Sequence, residues 1–172
     1  DFPHVDHLIL GEAELTLPPF LKDLSRGEPR HLYADERRAD LKDTPIPLWE
    51  LVDIRDYAAM NIQYSRGCPF DCEFCDITAL LGRIPRTKEL PQLIAELERL
   101  DSRGWRGAIF FVDDNFIGDR RKLKRELLPA VIDWMERKGR PFYFYTEASI
   151  DLSDDVQLME MMVRAGFQEV FV

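Results

Sequence analysis

The stretch that decides the fold is 60-MNIQYSRGCPFDCEFCDITALLGRIPRTK-88, which carries all three cysteines of the chain, Cys68, Cys72 and Cys75, in the spacing CxxxCxxC. Three thiolates so close together, on a loop that leaves an apolar strand, suit a soft metal centre, and iron-sulfur clusters are held above all by thiolates. A cuboidal 4Fe-4S cluster held by three cysteines keeps one iron open to a substrate. A structural zinc site is the competing reading, but it usually takes four ligands. The histidines are His4, His7 and His31, all more than 35 residues from Cys68. A disulfide framework is disfavoured by the odd cysteine count and by ample apolar content.

At these residues the chain resembles the radical S-adenosylmethionine (SAM) superfamily, whose signature is CxxxCxxC with an aromatic residue before the last cysteine, here Phe74. The flanking residues, 65-SRGCPF-70 and 82-GRIPR-86, are similar to the subgroup with an upstream cobalamin-binding domain, which includes the hopanoid methylases. The resemblance implies a 4Fe-4S cluster on Cys68, Cys72 and Cys75, with SAM chelating the open iron and cleaved by one electron to a 5'-deoxyadenosyl radical. It implies Phe74 against the adenine, with a buried core aromatic as the alternative. It places Asp113, Asp114 and Asn115 where the family has a Gly-Gly-Glu motif for the SAM amino group; helix capping or simple solvation is the alternative for them. Glu147 and Ser149 are further candidates for nucleoside or substrate contacts. Arg66, Arg83, Arg86 and Lys88 surround the loop as candidate partners of the SAM carboxylate or of an anionic cluster, with a solvated basic loop as the other description.

Outward from this loop, a strand-and-helix alternation starts at Met60. Strands are predicted over 61–64, 108–112, 142–146 and 169–172. A helix over 89–103 presents Leu90, Leu93, Ile94, Leu97 and Leu100 on one face, and one over 120–138 presents Leu123, Leu127, Val131 and Trp134, with a kink at Pro129. A third helix opens at Ser153 with Asp154 and Asp155 in its first turn, buries Val156, Met159 and Val163, and stops at Gly166. The methionines 159, 161 and 162 read as core filler. The pattern predicts an α/β fold of parallel βαβ units, with ligands at the carboxyl ends of the strands. The cluster loop, 113–115 and 147–149 each follow a strand and so share one rim. The family implies that these units are the first part of a partial (β/α)6 barrel.

Upstream, residues 5–10 predict a strand, followed by a helix with Leu17, Phe20, Leu21 and Leu24 at i, i+3, i+4, i+7. Pro18 and Pro19 suit its first turn and Gly27 its end. Residues 1–27 resemble the last unit of a cobalamin-binding domain, but the DxHxxG ligand motif is absent, so His7 reads as packing or surface. Residues 28–59, with Pro29, Pro45 and Pro47 among charges, read as a surface linker that Trp49, Leu51, Val52 and Ile54 pin to the core. Residues 60–172 are then the beginning of the barrel, and both chain ends read as cuts in a longer protein.

The 172 residues are 45% hydrophobic and 32% charged, an ordinary globular composition, and the net charge of −9 offers no electrostatic case for nucleic acid. No apolar run approaches the roughly 20 residues of a membrane span. Free thiols point to the cytoplasm. The expected function is the core of a radical SAM enzyme, specifically a cobalamin-dependent methyltransferase whose cobalamin is bound outside this chain. It would act on a small or lipid-like substrate, with flavodoxin or ferredoxin as electron donor. Another radical SAM reaction, such as methylthiolation or ring formation, and a non-catalytic zinc module are the alternatives.

Overall fold

The computed structural model describes residues 4–172, which divide into two units on either side of the boundary between Thr44 and Pro45. In the first, β1 (Leu8–Leu10) and β2 (Leu32–Ala34) pair in parallel around α1 (Ala13–Ser25). Tyr33 is buried in this unit, and its hydroxyl donates to Asp23 at 2.9 Å. The buried Glu12 accepts from the Ala39 amide at 3.0 Å, which ties the helix start to the chain beyond β2. Two readings are corrected here. Helix α1 starts at Ala13, so Pro18 and Pro19 lie within it rather than in its first turn, and Leu17, Leu21 and Leu24 are exposed. The stretch expected as linker from residue 28 supplies β2 and the buried Ala39 and Leu41. Short strands in charged surroundings have no periodicity for a sequence to display.

The second unit is built on a four-stranded parallel sheet in the order β3 (Ala59–Ile62), β6 (Gly107–Phe111), β7 (Phe142–Glu147), β8 (Phe167–Phe171). Neighbours in sequence are neighbours in the sheet, as βαβ units require. Helix α3 (Leu90–Ser102) connects β3 to β6; its start is set by a capping box between Glu89 and Gln92, and it buries Leu93, Leu97 and Leu100. Between β6 and β7 run α4 (Arg120–Lys122), a π turn at Leu123–Leu127 and α5 (Leu128–Arg137). Pro129 does not kink a continuous α-helix as expected. The π turn, in which the Leu128 amide bonds back to the Leu123 carbonyl, puts the proline at the start of α5, where its missing N–H costs least. Leu123, Leu127, Val131 and Trp134 are buried as read.

Helix α6 (Val156–Ala165) departs further from expectation. Its cap is Asp155, whose carboxylate accepts from the Leu158 amide at 3.0 Å, while Ser153 belongs to a preceding 3-10 turn, Ile150–Asp154. The buried stripe is Leu158, Met162 and Ala165; Val156 and Val163 are exposed and Met159 and Met161 only partly covered. The helix is apolar over much of its circumference, so two stripes fit the helical period and packing on the sheet selects one. Gly166, at φ 110°, ends the helix in the left-handed region where a side chain would be strained, and a Cβ there would meet Met135 at 3.1 Å and Phe144 at 3.5 Å. In the core, Phe111 lies 5.2 Å by ring centroid from each of Phe116, Phe144 and Phe167. Trp49 and Ile54 pack on this core as read, but Leu51 is exposed.

Two buried polar arrangements fix the loop between β3 and α3. Strands β4 (Ser65–Arg66) and β5 (Arg86–Thr87) form an antiparallel pair that closes the base of the cysteine loop, and α2 (Ile77–Leu81) lies within it. Lys88 follows directly. It is buried, not part of a solvated basic loop, and its ammonium meets the fully buried Glu96 of α3 at 2.5 Å. Burial pushes the Glu96 carboxyl up and the Lys88 ammonium pulls it part of the way back. At the other corner, Asp113, just past β6, accepts from the backbone amides of Tyr64 and Ser65 and from the Ser65 hydroxyl. Its burial pushes its pKa up to about 6 against the pull of these donors.

Removing one partner of the buried pair leaves an uncompensated charge, so Glu96→Ala is expected to lower unfolding free energy by about 3–5 kcal/mol, measured by denaturant titration, whereas Lys88→Met with Glu96→Leu restores much of it. Asp113→Ala strands three donors and is expected to cost roughly 1–3 kcal/mol by the same assay. Because the folded-state pKa of Asp113 is raised, its contribution is present below the unfolded value and lost as pH rises through about 6. Wild-type stability is therefore expected to fall relative to that of Asp113→Asn between about pH 4 and 6.

Candidate metal and cofactor site

The parallel sheet places the ends of β3, β6 and β7 on one rim, and the side chains beyond them converge there. A cavity of about 770 Å³ on this rim is lined by Cys68, Cys72 and Cys75 from the loop, Asp114 and Asn115 beyond β6, and Glu147, Ala148 and Ser149 from the end of β7 and beyond. Phe70, Phe74, Ile150 and Phe171 give it an apolar wall. The three cysteines are free thiols; Cys72 is exposed and the other two half-buried.

The loop reaches this position through backbone contacts. The Cys68 amide donates to the Gly82 carbonyl at 3.1 Å, and the Cys75 amide to the Cys72 carbonyl at 3.0 Å. Gly67 stands at φ 100°, and a Cβ there would meet the carbonyl oxygens of Gly82, Ile84 and Leu81 at 2.9, 3.2 and 3.3 Å. Only glycine fits such an approach. The Gly67 amide in turn donates to the Asp114 carboxylate at 2.7 Å. Two consecutive acids therefore hold two consecutive corners of the loop, Asp113 at residues 64–65 and Asp114 at residue 67.

This separates residues that the sequence groups together. Asp113 points into the protein and does not line the cavity, contrary to its reading as an acceptor for a bound amine. Asp114 lines the cavity while holding Gly67. Asn115 donates through Nδ2 to Ser149 Oγ at 3.1 Å and to Cys68 Sγ at 3.8 Å, and its Oδ1 accepts from the Ser149 amide at 3.3 Å. Ser149 Oγ donates to Asp151 at 2.5 Å, and Asp151 is paired with Arg120. Phe74 is 92% exposed, which overturns the alternative of a buried core aromatic and leaves its ring free at the mouth of the cavity. Of the basic residues, Arg66 bonds the Gln63 side chain, Arg86 the Leu81 carbonyl, and Arg83 pairs with Asp71 at 2.5 Å. None of the four lines the cavity. Asp151 and Arg120 carried no motif in the sequence, because their role depends on a turn that brings residues 31 apart together.

The donor set fits an iron-sulfur cluster. All three thiols line the cavity, and no histidine does. Among the described residues no three His, Cys, Asp or Glu side chains converge as ligands of a single ion would.

No protein-family model matches the chain. It is 50% identical over 97% of its length to an uncharacterized methyltransferase of Synechocystis sp., and 38% identical over 99% of its length to the hopanoid C-2 methylase of Rhodopseudomonas palustris. It spans 31% and 33% of those proteins. Among solved structures, the radical S-adenosylmethionine methyltransferase TsrM of Kitasatospora setae, with tryptophan and a SAM analog bound, superposes with a TM-score of 0.55 at 17% identity, covering 68% of this chain and 22% of that one. No helix of the described residues is long and apolar enough to cross a membrane. Over nearly its whole length the chain is thus similar to about a third of each of two methyltransferase relatives, one of them a hopanoid C-2 methylase, and its fold is that of a part of TsrM.

Proposed function

We propose that this chain forms the cluster-bearing part of a radical SAM methyltransferase. The observation that carries the reading is the cavity on the sheet rim, where the three thiols of a CxxxCxxC loop face acidic and polar strand-end residues beside an apolar wall. Cys68, Cys72 and Cys75 would hold a 4Fe-4S cluster and leave one iron for SAM. Once bound, the pair supplies one-electron cleavage of a carbon-sulfur bond. The remaining roles belong to side chains of this chain. Asp114 and Glu147 offer carboxylate acceptors to an ammonium group, and Asp114 at the same time keeps Gly67 and hence Cys68 in place. Phe74 offers an exposed ring for stacking on a nucleobase. Asp113 serves only to position the loop.

Phe70, Ile150 and Phe171 favour a substrate with substantial apolar surface, in keeping with a lipid-like molecule. Methyl transfer is favoured over methylthiolation or ring formation by the two methyltransferase relatives that match nearly the whole chain. Dependence on cobalamin, with residues 1–27 as the last unit of its binding domain, completion of a (β/α)6 barrel, a flavodoxin or ferredoxin donor and a cytoplasmic setting belong to the same reading. The cytoplasm keeps thiols reduced.

The full-length protein, purified and reconstituted without oxygen, is expected to be brown, to contain iron and acid-labile sulfide, and to change its electron paramagnetic resonance spectrum when SAM is added to the reduced form. Cys72→Ala is expected to lose the iron while changing the unfolding free energy of the cluster-free protein by less than about 0.5 kcal/mol, as for an exposed side chain. A colourless wild-type protein holding one zinc would overturn the proposal in favour of a structural metal module.

A further inference from the structure

Asn115 lies between the cysteine loop and the end of β7, and its contacts define which way its amide faces. The Ser149 backbone N–H can only donate, so the oxygen of the Asn115 amide must accept from it, at 3.3 Å. The amide nitrogen is thereby turned to the other side, where its two hydrogens meet Ser149 Oγ at 3.1 Å and Cys68 Sγ at 3.8 Å. Ser149 Oγ accepts from Asn115 and gives its own hydrogen to Asp151 at 2.5 Å, since a carboxylate only accepts. Asp151 is held in turn by Arg120. The chain of contacts Arg120, Asp151, Ser149, Asn115 ends on a sulfur. Asn115 is itself buried, 3% exposed, so water does not compete freely for its amide.

We infer that Asn115 is a redox-tuning residue, whose N–H donated to the Cys68 sulfur raises the reduction potential of the cluster, with Ser149 as the residue that orients it. This rests on the cluster reading above and goes beyond it. A hydrogen bond to a ligating sulfur favours the more negatively charged, reduced state, and the potential of such clusters is set in part by donors of this kind. An outer-shell partner needs its own support to be effective, and Asp151 with Arg120 supplies it. The role differs from that expected for Asn115 in the sequence, where it stood among acceptors for a bound amine.

The test is an equilibrium redox titration of the reconstituted full-length protein without SAM, followed by electron paramagnetic resonance, with iron content measured on each sample. Asn115→Ala is expected to load iron as wild type and to shift the midpoint potential to more negative values. Ser149→Ala, which keeps the donor but removes its orienting hydroxyl, is expected to shift it in the same direction by less. An unchanged potential in iron-loaded Asn115→Ala overturns the inference and leaves the cluster reading standing. Failure of Asn115→Ala to load iron, together with an unshifted Ser149→Ala, also overturns it, because Asn115 would then be structural. A colourless wild-type protein overturns the cluster reading and the inference with it.

Discussion

The constraint on which the site depends is the grip of two adjacent acids on the backbone of the loop that faces them. Asp113 and Asp114 follow the end of β6, the first buried and the second lining the cavity. The first enters the protein and takes the amides of residues 64 and 65; the second faces the cavity and takes the amide of Gly67. A carboxylate has several acceptor positions, and backbone donors near the mouth of a sheet otherwise have no partner. Meeting one need with the other locks the exit of β3 to the exit of β6. Cys68 is the next residue, so its place on the rim follows from this.

The cost is visible in Asp113. A buried carboxyl resists ionisation, and three donors reduce that resistance without removing it. The Lys88 and Glu96 pair shows the same economy at the other end of the loop, where an ion pair rather than an apolar contact fastens β5 to α3. Buried ion pairs add little net stability compared with apolar substitutes, but they tolerate few alternative arrangements. Both devices stand at the base of a loop that otherwise packs loosely, with Cys72, Phe74 and Ile84 all exposed.

The residues at the rim divide into those that face the cavity and those that hold others in position. The three thiols, Glu147 and Phe74 face it; Asp113 only holds others, and Asp114 and Asp151 line the cavity while holding Gly67 and Ser149. Asn115 also does both, since it lines the cavity and hydrogen-bonds a thiol. In a cluster enzyme this second group matters for chemistry as well as for shape, because the charge and hydrogen bonds around the sulfurs set the energy of the electron to be transferred.

Much of this was legible in the residues alone. The cysteine spacing and the alternation of apolar strands with periodic helices are local signals, and local physics decides them. Simple connectivity was enough to bring 68–75, 113–115 and 147–149 to one rim. The sequence could not say which of two apolar stripes on α6 would be covered, because both satisfy the helical period and the choice is made by the sheet beneath. It could not show the β4 and β5 pairing, whose four residues have no pattern of their own. Nor could it separate Asp113 from Asp114, or reveal that Lys88 is buried against Glu96. Which way a side chain faces at the end of a strand, and which distant donor it meets, is a property of the assembled chain, and only the tertiary structure decides it.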